Sequence, residues 1–197
     1  PVERIRSAFS VFKGRVILTT SGGETSAAMP HLVASTIGLD FPLVFVDHGY
    51  YTPATYRMID YFRDSGHDIR IYRSPLSPGE VERSYPGWSD PRSALFSTVV
   101  RKIKHGPLNS AFEALRPEAW LRGIMRHESP ERQRADFVQL KNGVHQVHPI
   151  LDWTRDDILC YLSENGLPVN EDHWDLTKGR DQHGECLIGD RCGLKFA

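Results

Sequence analysis

Cysteine is scarce in this sequence. The 197 residues include only three cysteines, at positions 160, 186 and 192. So sparse and odd a set cannot form the disulfide framework of a small secreted domain, and a reducing compartment is therefore favoured. Cys160 lies in the apolar stretch 158–162, which predicts that it packs in the core.

Long apolar runs and an excess of one charge are also missing. No apolar run approaches the ~18 residues of a membrane span, and residues 1–15 lack the apolar core and cleavage site of a signal peptide. The 24 lysines and arginines are balanced by 25 acidic residues, whereas a protein that coats nucleic acid carries a large basic excess. We therefore expect a cytoplasmic globular protein without membrane association.

The spacing of the apolar segments predicts an α/β fold. Short β-branched runs predict buried strands, and they alternate with helical stretches in the pattern of a parallel sheet with crossover helices. The predicted strands are 15–20, 41–47, 68–72, 119–124, 137–141 and 144–148, the last two joined as a hairpin by Asn142-Gly143. The predicted helices are 25–37, 53–64, 93–103, 108–115 and 154–165, with a long loop at 74–91 and a break at 104–107.

The chain carries no repeat, low-complexity tract or linker that would divide it. With 40% apolar residues, 197 residues suffice for one sizeable core and are few for two domains. We expect residues 1–197 to form a single domain. From about residue 171 the sequence is polar and irregular, which predicts a flexible C-terminal tail over about 171–197.

The loop Ser21-Gly22-Gly23-Glu24-Thr25-Ser26, between the first strand and its helix, is a candidate anion site. Its glycines let the backbone approach a ligand closely, and the free N–H groups of the helix start join the Thr25 and Ser26 hydroxyls as donors. The loop is neither a Walker A motif nor a G-x-G-x-x-G dinucleotide fingerprint. An ordinary strand-to-helix turn, which also favours Gly and Ser, is the alternative.

Two other strand ends carry candidate binding residues. Asp47, Gly49 and Tyr50 follow the second strand, and Arg126 and Arg132 follow the fourth. Ligands of open α/β sheets bind at the carboxyl edge, and arginine forks suit phosphate and sulfate oxygens. Alternatively, Asp47 caps a turn and the arginines belong to a solvated charged loop.

The C-terminal segment holds the remaining candidate chemistry. His183, Cys186 and Cys192 lie at a spacing that allows a metal site or a disulfide, although the spacing is not a standard zinc pattern. Cys192, next to Gly193, could instead be a nucleophilic thiol or an ordinary free cysteine.

Four segments together form a more specific pattern. They are residues 45–57 (FVDHGYYTPATYR), 120–132 (WLRGIMRHESPER), 148–153 (HPILDW) and 192–194 (CGL). In this order they resemble motifs of the phosphoadenylyl-sulfate (PAPS) and adenylyl-sulfate (APS) reductase family, and the likeness extends from about residue 16 to residue 194. The resemblance implies an adenine nucleotide α-hydrolase-like fold, with three layers and a mainly parallel five-stranded sheet that has helices on both faces.

The resemblance also implies a reaction and a set of roles. Cys192 would attack the sulfate sulfur of PAPS, giving an enzyme S-sulfonate and adenosine 3′,5′-bisphosphate, and thioredoxin or glutaredoxin would then release sulfite. Three cysteines exclude the four-cysteine iron–sulfur cluster of APS reductases within this chain, so no bound cofactor or metal is expected. A homodimer is compatible with the resemblance. The implied substrate-binding residues are Ser21, Gly22, Gly23, Thr25, Ser26, Asp47, Gly49, Tyr50, Lys104, Arg126 and Arg132.

Two other functions stay open. The Ser21-Gly22-Gly23 loop is also similar to that of the PP-loop ATP pyrophosphatases, which share the fold, although Thr25 stands where those enzymes carry Asp. An ATP-using, adenylating enzyme of sulfur transfer is therefore one alternative. A catalytically inactive protein that binds sulfonucleotides is the other. The roles of Cys186 and His183 are left open.

Overall fold

A sheet of six strands lies at the centre of the computed structural model. The structure describes residues 1–24 and 26–178, except for the side chain of Glu131. The strand order is β3-β2-β1-β4-β6-β5, and only β5 runs antiparallel to its neighbour. The strands are β1 Val16–Thr20, β2 Pro42–Asp47, β3 Asp68–Arg73, β4 Ala119–Leu121, β5 Val138–Lys141 and β6 Val144–Val147.

The expected mainly parallel α/β fold is confirmed, but the expected count of five strands is wrong. Both strands of the predicted hairpin join the sheet, so β5 is added as an antiparallel edge beyond β6. Asn142 and Gly143 adopt the left-handed φ values of 50° and 77° that a two-residue hairpin turn requires.

The described helices comprise eight α-helices, one π-helix and two short 3₁₀-helices. The α-helices are α1 Val2–Phe12, α2 Ala28–Ile37, α3 Pro53–Asp64, α4 Pro78–Ser84, α5 Ala94–Val100, α6 Gly106–Leu115, α7 Pro130–Gln133 and α8 Arg155–Glu164. The π-helix is Arg101–His105, and the 3₁₀-helices are Arg126–Glu128 and Leu176–Lys178. In this part of the chain no helix combines the length and the apolar character needed to cross a membrane.

Alternate residues of the strands pack on opposite faces of the sheet. Leu18 and Phe45 face a core that includes residues of α1, α2, α3 and α8. Ile17 and Trp120 face a second core that includes Leu108 of α6. Because side chains alternate along a strand, one short apolar run supplies both cores, and this arrangement produces the three layers.

Two predicted connections have more helix than expected. Helix α4 interrupts the predicted loop 74–91, because Ser77 and Glu80 form a capping box and Pro78 occupies the first turn. The predicted break at 104–107 is also wrong. The π-helix joins α5 to α6 there, and Pro107 lies in the first turn of α6, where a missing N–H costs little.

The predicted core position of Cys160 is also wrong. Cys160 is exposed on α8, whereas Ile158 and Leu162 are buried. Residues two positions apart on an α-helix point about 200° apart, so the apolar neighbours of Cys160 turn it toward solvent. Its thiol donates to Glu164 Oε1 at 3.4 Å.

The central strand should dominate stability. Leu18 is fully buried in the middle of the sheet, so Leu18→Ala should lower the free energy of unfolding by about 2–5 kcal/mol through lost burial and the cavity left behind. Leu140, which is 67% exposed on β5, provides the matched control, and Leu140→Ala should cost less than about 0.5 kcal/mol. Urea unfolding followed by circular dichroism measures both, and equal losses would contradict this placement of the core.

Candidate active site

A cavity of about 600 Å³ lies where β1 and β4 end. Thr19 and Thr20 of β1, Trp120 of β4 and the loop that follows each strand line it. Trp120 Nε1 donates to Thr19 Oγ1 at 2.9 Å and so joins the two strands at the cavity wall. A cavity of this size can enclose a ligand as large as a nucleotide.

The loop after β1 forms one wall of the cavity. Ser21, Gly23 and Ser26 line it, and Gly22 lies behind them with a left-handed φ of 64°. A Cβ at Gly22 would come within 2.7 Å of Thr55 Cγ2, so both the conformation and the space require glycine. The Gly22 carbonyl accepts a hydrogen bond of 2.5 Å from Asn170 Nδ2, which holds the loop from behind.

The charged side chains that line the cavity are mostly basic. Two of the arginines have carboxylate partners at the wall: Arg132 pairs with Glu128, and Arg155 pairs with Glu24. Because cations outnumber carboxylates, the cavity favours an anionic ligand. The lining cations are Lys104, Arg122, Arg132, Arg155 and Lys178, and the lining carboxylates are Glu24 and Glu128.

Arg122 is held by residues of the sheet. Its Nη1 donates to Gln146 Oε1 at 2.7 Å, and its guanidinium carbon lies 4.5 Å from the centroid of the Trp120 ring. Gln146 is buried in β6, so these contacts fix the fork of Arg122 on a rigid element. Rigid placement of a cation reduces the entropy lost when an anion binds.

Lys104 reaches the cavity from the π-helix and is anchored on Asp175. Its ammonium donates to Asp175 Oδ2 at 2.6 Å and to Thr177 Oγ1 at 2.7 Å. The Asp175 side chain is fully buried, and His48 Nε2 lies 3.1 Å from its Oδ1. Burial alone would raise the pKa of Asp175, but Lys104 and His48 outweigh it and hold that pKa well below the ordinary range.

Two lining histidines are neutral at physiological pH. Burial, reinforced by neighbouring cations, lowers the pKa of both His105 and His173 to about 4. His173 Nδ1 lies 3.4 Å from Thr55 Oγ1, and its buried Nε2 has no hydrogen-bond partner among the described residues. The two rings therefore offer neutral hydrogen-bonding groups at the wall of the cavity.

Comparison with known proteins identifies the family of the chain. Residues 15–173 match the family model of the phosphoadenosine phosphosulfate reductase domain. The chain belongs to this reductase family. It is 33% identical over 169 residues to a phosphoadenosine 5′-phosphosulfate reductase of Alkalilimnicola ehrlichii, covering 85% of this chain and 69% of that protein. It is 32% identical over 168 residues to the enzyme of that name from a Synechococcus species, covering 84% of this chain and 72% of that protein.

Solved structures show that the fold is shared more widely than the family. The phosphate complex of the Candida auris PAPS reductase aligns with a TM-score of 0.73 and 21% identity, covering 87% of this chain and 82% of that one. The U34-tRNA thiolase NcsA of Methanococcus maripaludis aligns with a TM-score of 0.58 and 13% identity, covering 85% of this chain and 63% of that one. The predicted family and its α/β fold are confirmed.

Within this reductase-family domain, five of the predicted binding residues line the cavity. They are Ser21, Gly23, Ser26, Lys104 and Arg132. Arg126 is not in the lining: its Nε donates to Asp152 Oδ1 at 2.6 Å, and its Nη1 donates to the carbonyl of Ala135 at 2.5 Å. Arg126 thus ties the loop after β4 to its neighbours.

The predicted residues after β2 stabilise a turn rather than lining the cavity. Asp47 Oδ1 accepts from the Gly49 amide at 3.0 Å and from the Tyr56 hydroxyl at 2.9 Å. The Tyr50 hydroxyl donates to the Pro78 carbonyl at 3.2 Å, while the next residue, Tyr51, lines the cavity. The bond from Gly49 to Asp47 is the turn cap that the sequence left open as an alternative.

Four candidates lie outside the residues that the structure describes. They are Thr25, His183, Cys186 and Cys192. Their predicted roles therefore stay predictions.

Several lining residues were not selected from the sequence. Arg122 directly follows β4 inside the segment 120–132, and Arg155 is the first residue of α8, just after the segment 148–153. Position at a strand or helix end was therefore an available signal. His173 and Lys178 had no such signal, because the sequence from about residue 171 shows no apolar periodicity that would predict a strand or helix.

The neutral state of His173 leads to a prediction about pH. In the unfolded chain His173 has the ordinary pKa of 6.5, whereas in the folded chain burial lowers that pKa to about 4. The contribution of His173 to the free energy of unfolding is therefore fully present above pH 6.5 and is lost as the pH falls toward 4. When the pH is lowered from about 7 to about 5, the free energy of unfolding should fall in both proteins. The fall should be about 1–2 kcal/mol smaller in His173→Gln than in the unchanged chain, because glutamine takes up no proton. Urea unfolding at both pH values measures this difference. His127→Gln, at an exposed histidine of the same cavity, is the control, and identical losses in all three proteins would contradict the assignment.

Proposed function

We propose that this chain is a thiol-dependent PAPS reductase that converts PAPS to sulfite and adenosine 3′,5′-bisphosphate, with Cys192 as the nucleophile. The observation that carries the proposal is the basic cavity at the carboxyl ends of β1 and β4. It occurs in a chain that belongs to the phosphoadenosine phosphosulfate reductase domain family and is 33% identical to an enzyme of that name.

The cavity has the charges that this substrate requires. PAPS carries phosphate groups and a sulfate, and arginine forks bind such oxygens through paired, charge-assisted hydrogen bonds. Arg122 and Arg132 enter from the β4 side, while Lys104 enters from the π-helix. From the loop after β1, Ser21, Gly23 and Ser26 add small side chains and two hydroxyl groups, which suit a phosphate group.

The reaction would proceed through a covalent intermediate. The Cys192 thiolate attacks the sulfate sulfur, a sulfur–sulfur bond forms, and the bond from that sulfur to the phosphate oxygen breaks. Adenosine 3′,5′-bisphosphate leaves with the bonding electron pair. A thiolate of reduced thioredoxin or glutaredoxin then attacks the cysteine sulfur of the S-sulfonate and expels sulfite. The second thiol of the donor resolves the mixed disulfide, which restores the Cys192 thiol and leaves the donor oxidised.

The length of the chain permits Cys192 to take part. Lys178 lines the cavity, and Cys192 follows it by 14 residues. An extended segment can span about 3.3–3.6 Å per residue, so the segment between Lys178 and Cys192 is long enough to bring the thiol to the cavity. Lining cations would lower the pKa of a thiol brought among them and would offset the charge of the leaving group.

The remaining expectations belong to the same proposal. Thioredoxin or glutaredoxin would be the reductant, and the reaction would use no bound metal or other cofactor. Three cysteines in 197 residues are too few for a four-cysteine cluster within the chain. The reduced thiol that the mechanism needs agrees with a cytoplasmic enzyme. A homodimer stays a prediction.

Sulfite release tests the role of Cys192 directly. With PAPS and reduced thioredoxin, the unchanged chain should release sulfite, and Cys192→Ser should abolish release because a hydroxyl is a far weaker nucleophile. Cys160→Ser is the matched control, since Cys160 is exposed on α8 and should leave the rate unchanged. Mass spectrometry without the reductant should find the S-sulfonate on the peptide that contains Cys192.

Other outcomes would favour the alternatives. Pyrophosphate exchange with ATP, without sulfite release from PAPS, would favour an adenylating enzyme. Binding of PAPS that is equal in the unchanged chain and in Cys192→Ser, without turnover by either, would favour an inactive sulfonucleotide-binding protein.

Arg132 should contribute to substrate binding. Arg132→Gln removes a lining cation and should raise the KM for PAPS about 10- to 100-fold, the range expected for a lost hydrogen bond to a charged group. The matched control is Arg134→Gln, because Arg134 is exposed two residues away and does not line the cavity. Steady-state kinetics measure both variants, and an equal effect at the two positions would contradict a specific contact.

A further inference from the structure

The segment 170–178 places two buried polar side chains next to the cavity, Thr177 in its lining and Asp175 behind it. Asp175 is 1% exposed and Thr177 is 6% exposed, although both belong to an irregular, polar stretch of sequence. The Thr177 hydroxyl donates to Asp175 Oδ1 at 2.5 Å, and the Thr177 amide donates to the same oxygen at 3.0 Å. Oδ1 is thus held by its own segment, and Oδ2 is left for Lys104.

His48 contacts the same oxygen, Oδ1, of this carboxylate. Its Nδ1 accepts a hydrogen bond of 3.2 Å from the Tyr50 amide, so the ring proton lies on Nε2 and is donated to Asp175 Oδ1 at 3.1 Å. The His48 ring stacks on Tyr51 with centroids 3.9 Å apart, and Tyr51 lines the cavity. A fully buried histidine and a packed tyrosine therefore leave the carboxylate little freedom.

Lys104 gains a defined position from this arrangement. A lysine ammonium carries three hydrogens on a flexible four-carbon stem, and binding that immobilises such a side chain costs conformational entropy. Asp175 and Thr177 accept two of the three hydrogens. Among the described residues the third has no recorded acceptor, and Lys104 lines the cavity with 13% of its side chain exposed, so a ligand there could accept it.

We propose that Asp175 is a positioning residue for PAPS reduction, which acts by holding the Lys104 ammonium in place for an anionic group of the substrate. The proposal rests on the proposed function and adds to it a residue that need not touch the substrate. His48 and Thr177 are the supports of Asp175, so the segment 170–178 and the turn after β2 act together on one lysine of the π-helix.

Net charge alone would lead to the opposite effect of Asp175 on substrate binding. Asp175 places a negative charge beside the cation that binds the substrate, so its removal should strengthen the binding of an anion if only net charge mattered. If Asp175 positions Lys104, its removal should weaken binding. The direction of the change therefore separates the two explanations.

The test is a double-mutant cycle with Asp175→Asn and Lys104→Met. In the unchanged background, Asp175→Asn should raise the KM for PAPS about 10- to 100-fold, and it should weaken binding of adenosine 3′,5′-bisphosphate in calorimetry by a similar factor. In the Lys104→Met background, the same substitution should have almost no further effect, because Asp175 acts through Lys104. Asp172→Asn, at an exposed position of the same segment, is the matched control and should leave both constants unchanged.

A measurement without nucleotide distinguishes this proposal from the proposed function. Trace labelling with acetic anhydride should modify Lys104 slowly in the unchanged chain and several-fold faster in Asp175→Asn, with exposed Lys13 as the internal reference. Faster labelling with no PAPS reduction by the unchanged chain would overturn the proposed function, whereas the positioning of Lys104 by Asp175 would stand. Unchanged labelling in an enzyme that reduces PAPS would overturn only the role of Asp175.

A second pair of variants covers the case in which Asp175→Asn does not fold. Thr177→Val removes one acceptor of the Lys104 ammonium and one donor to Asp175, whereas Thr177→Ser retains the hydroxyl. Thr177→Val should raise the KM, and Thr177→Ser should restore it. Equal kinetics of the two Thr177 variants, additive effects in the cycle, or tighter binding by Asp175→Asn would each overturn the proposal.

Discussion

The parallel pairing of β1 with β2 on one side and β4 on the other determines where the rest of the site can form. Leu18 pairs with Leu43 and with Leu121, and all three side chains are fully buried. Parallel neighbours end at the same edge of a sheet, so this register brings the loops after the three strands together. The glycine-rich loop after β1 and Arg122 after β4 line one cavity because their strands are neighbours that end at the same edge.

The same constraint explains which parts of the molecule could be predicted from the sequence. Apolar β-branched runs such as 16–20 and 42–47 are typical of strands that are buried on both faces of a parallel sheet. The structure has strands at both positions. Helix α4 was not predicted because the four prolines of residues 74–91 suggest a loop, whereas Pro78 begins a helix once Ser77 caps it. The core position predicted for Cys160 was wrong because the apolar stretch 158–162 does not indicate which side of the helix each of its residues occupies.

Binding residues were harder to predict than strands, because residue type does not specify a role. Arg126 and Arg132 belong to one motif, yet Arg126 ties down the loop while Arg132 lines the cavity. The difference depends on the carbonyl of Ala135 and the carboxylate of Asp152, which the chain brings to Arg126 only when it is folded. The nearly balanced charge of the whole chain likewise conceals a basic cavity, because charge is segregated in space rather than along the sequence.

The π-helix gives this cavity wall an unusual geometry. Successive residues of an α-helix point about 100° apart, so adjacent side chains face different directions. Lys104 and His105 are adjacent in the chain and both line the cavity, at a wide turn in which the Gly106 amide bonds the Arg101 carbonyl. Compared with an α-helical turn, this turn contains about one residue more, so it acts as a one-residue insertion in the helix. Deleting a single residue here would therefore rotate the side chains of the following helix α6 by about 100° relative to those of α5, and it would change which of them face the cavity and which face the core.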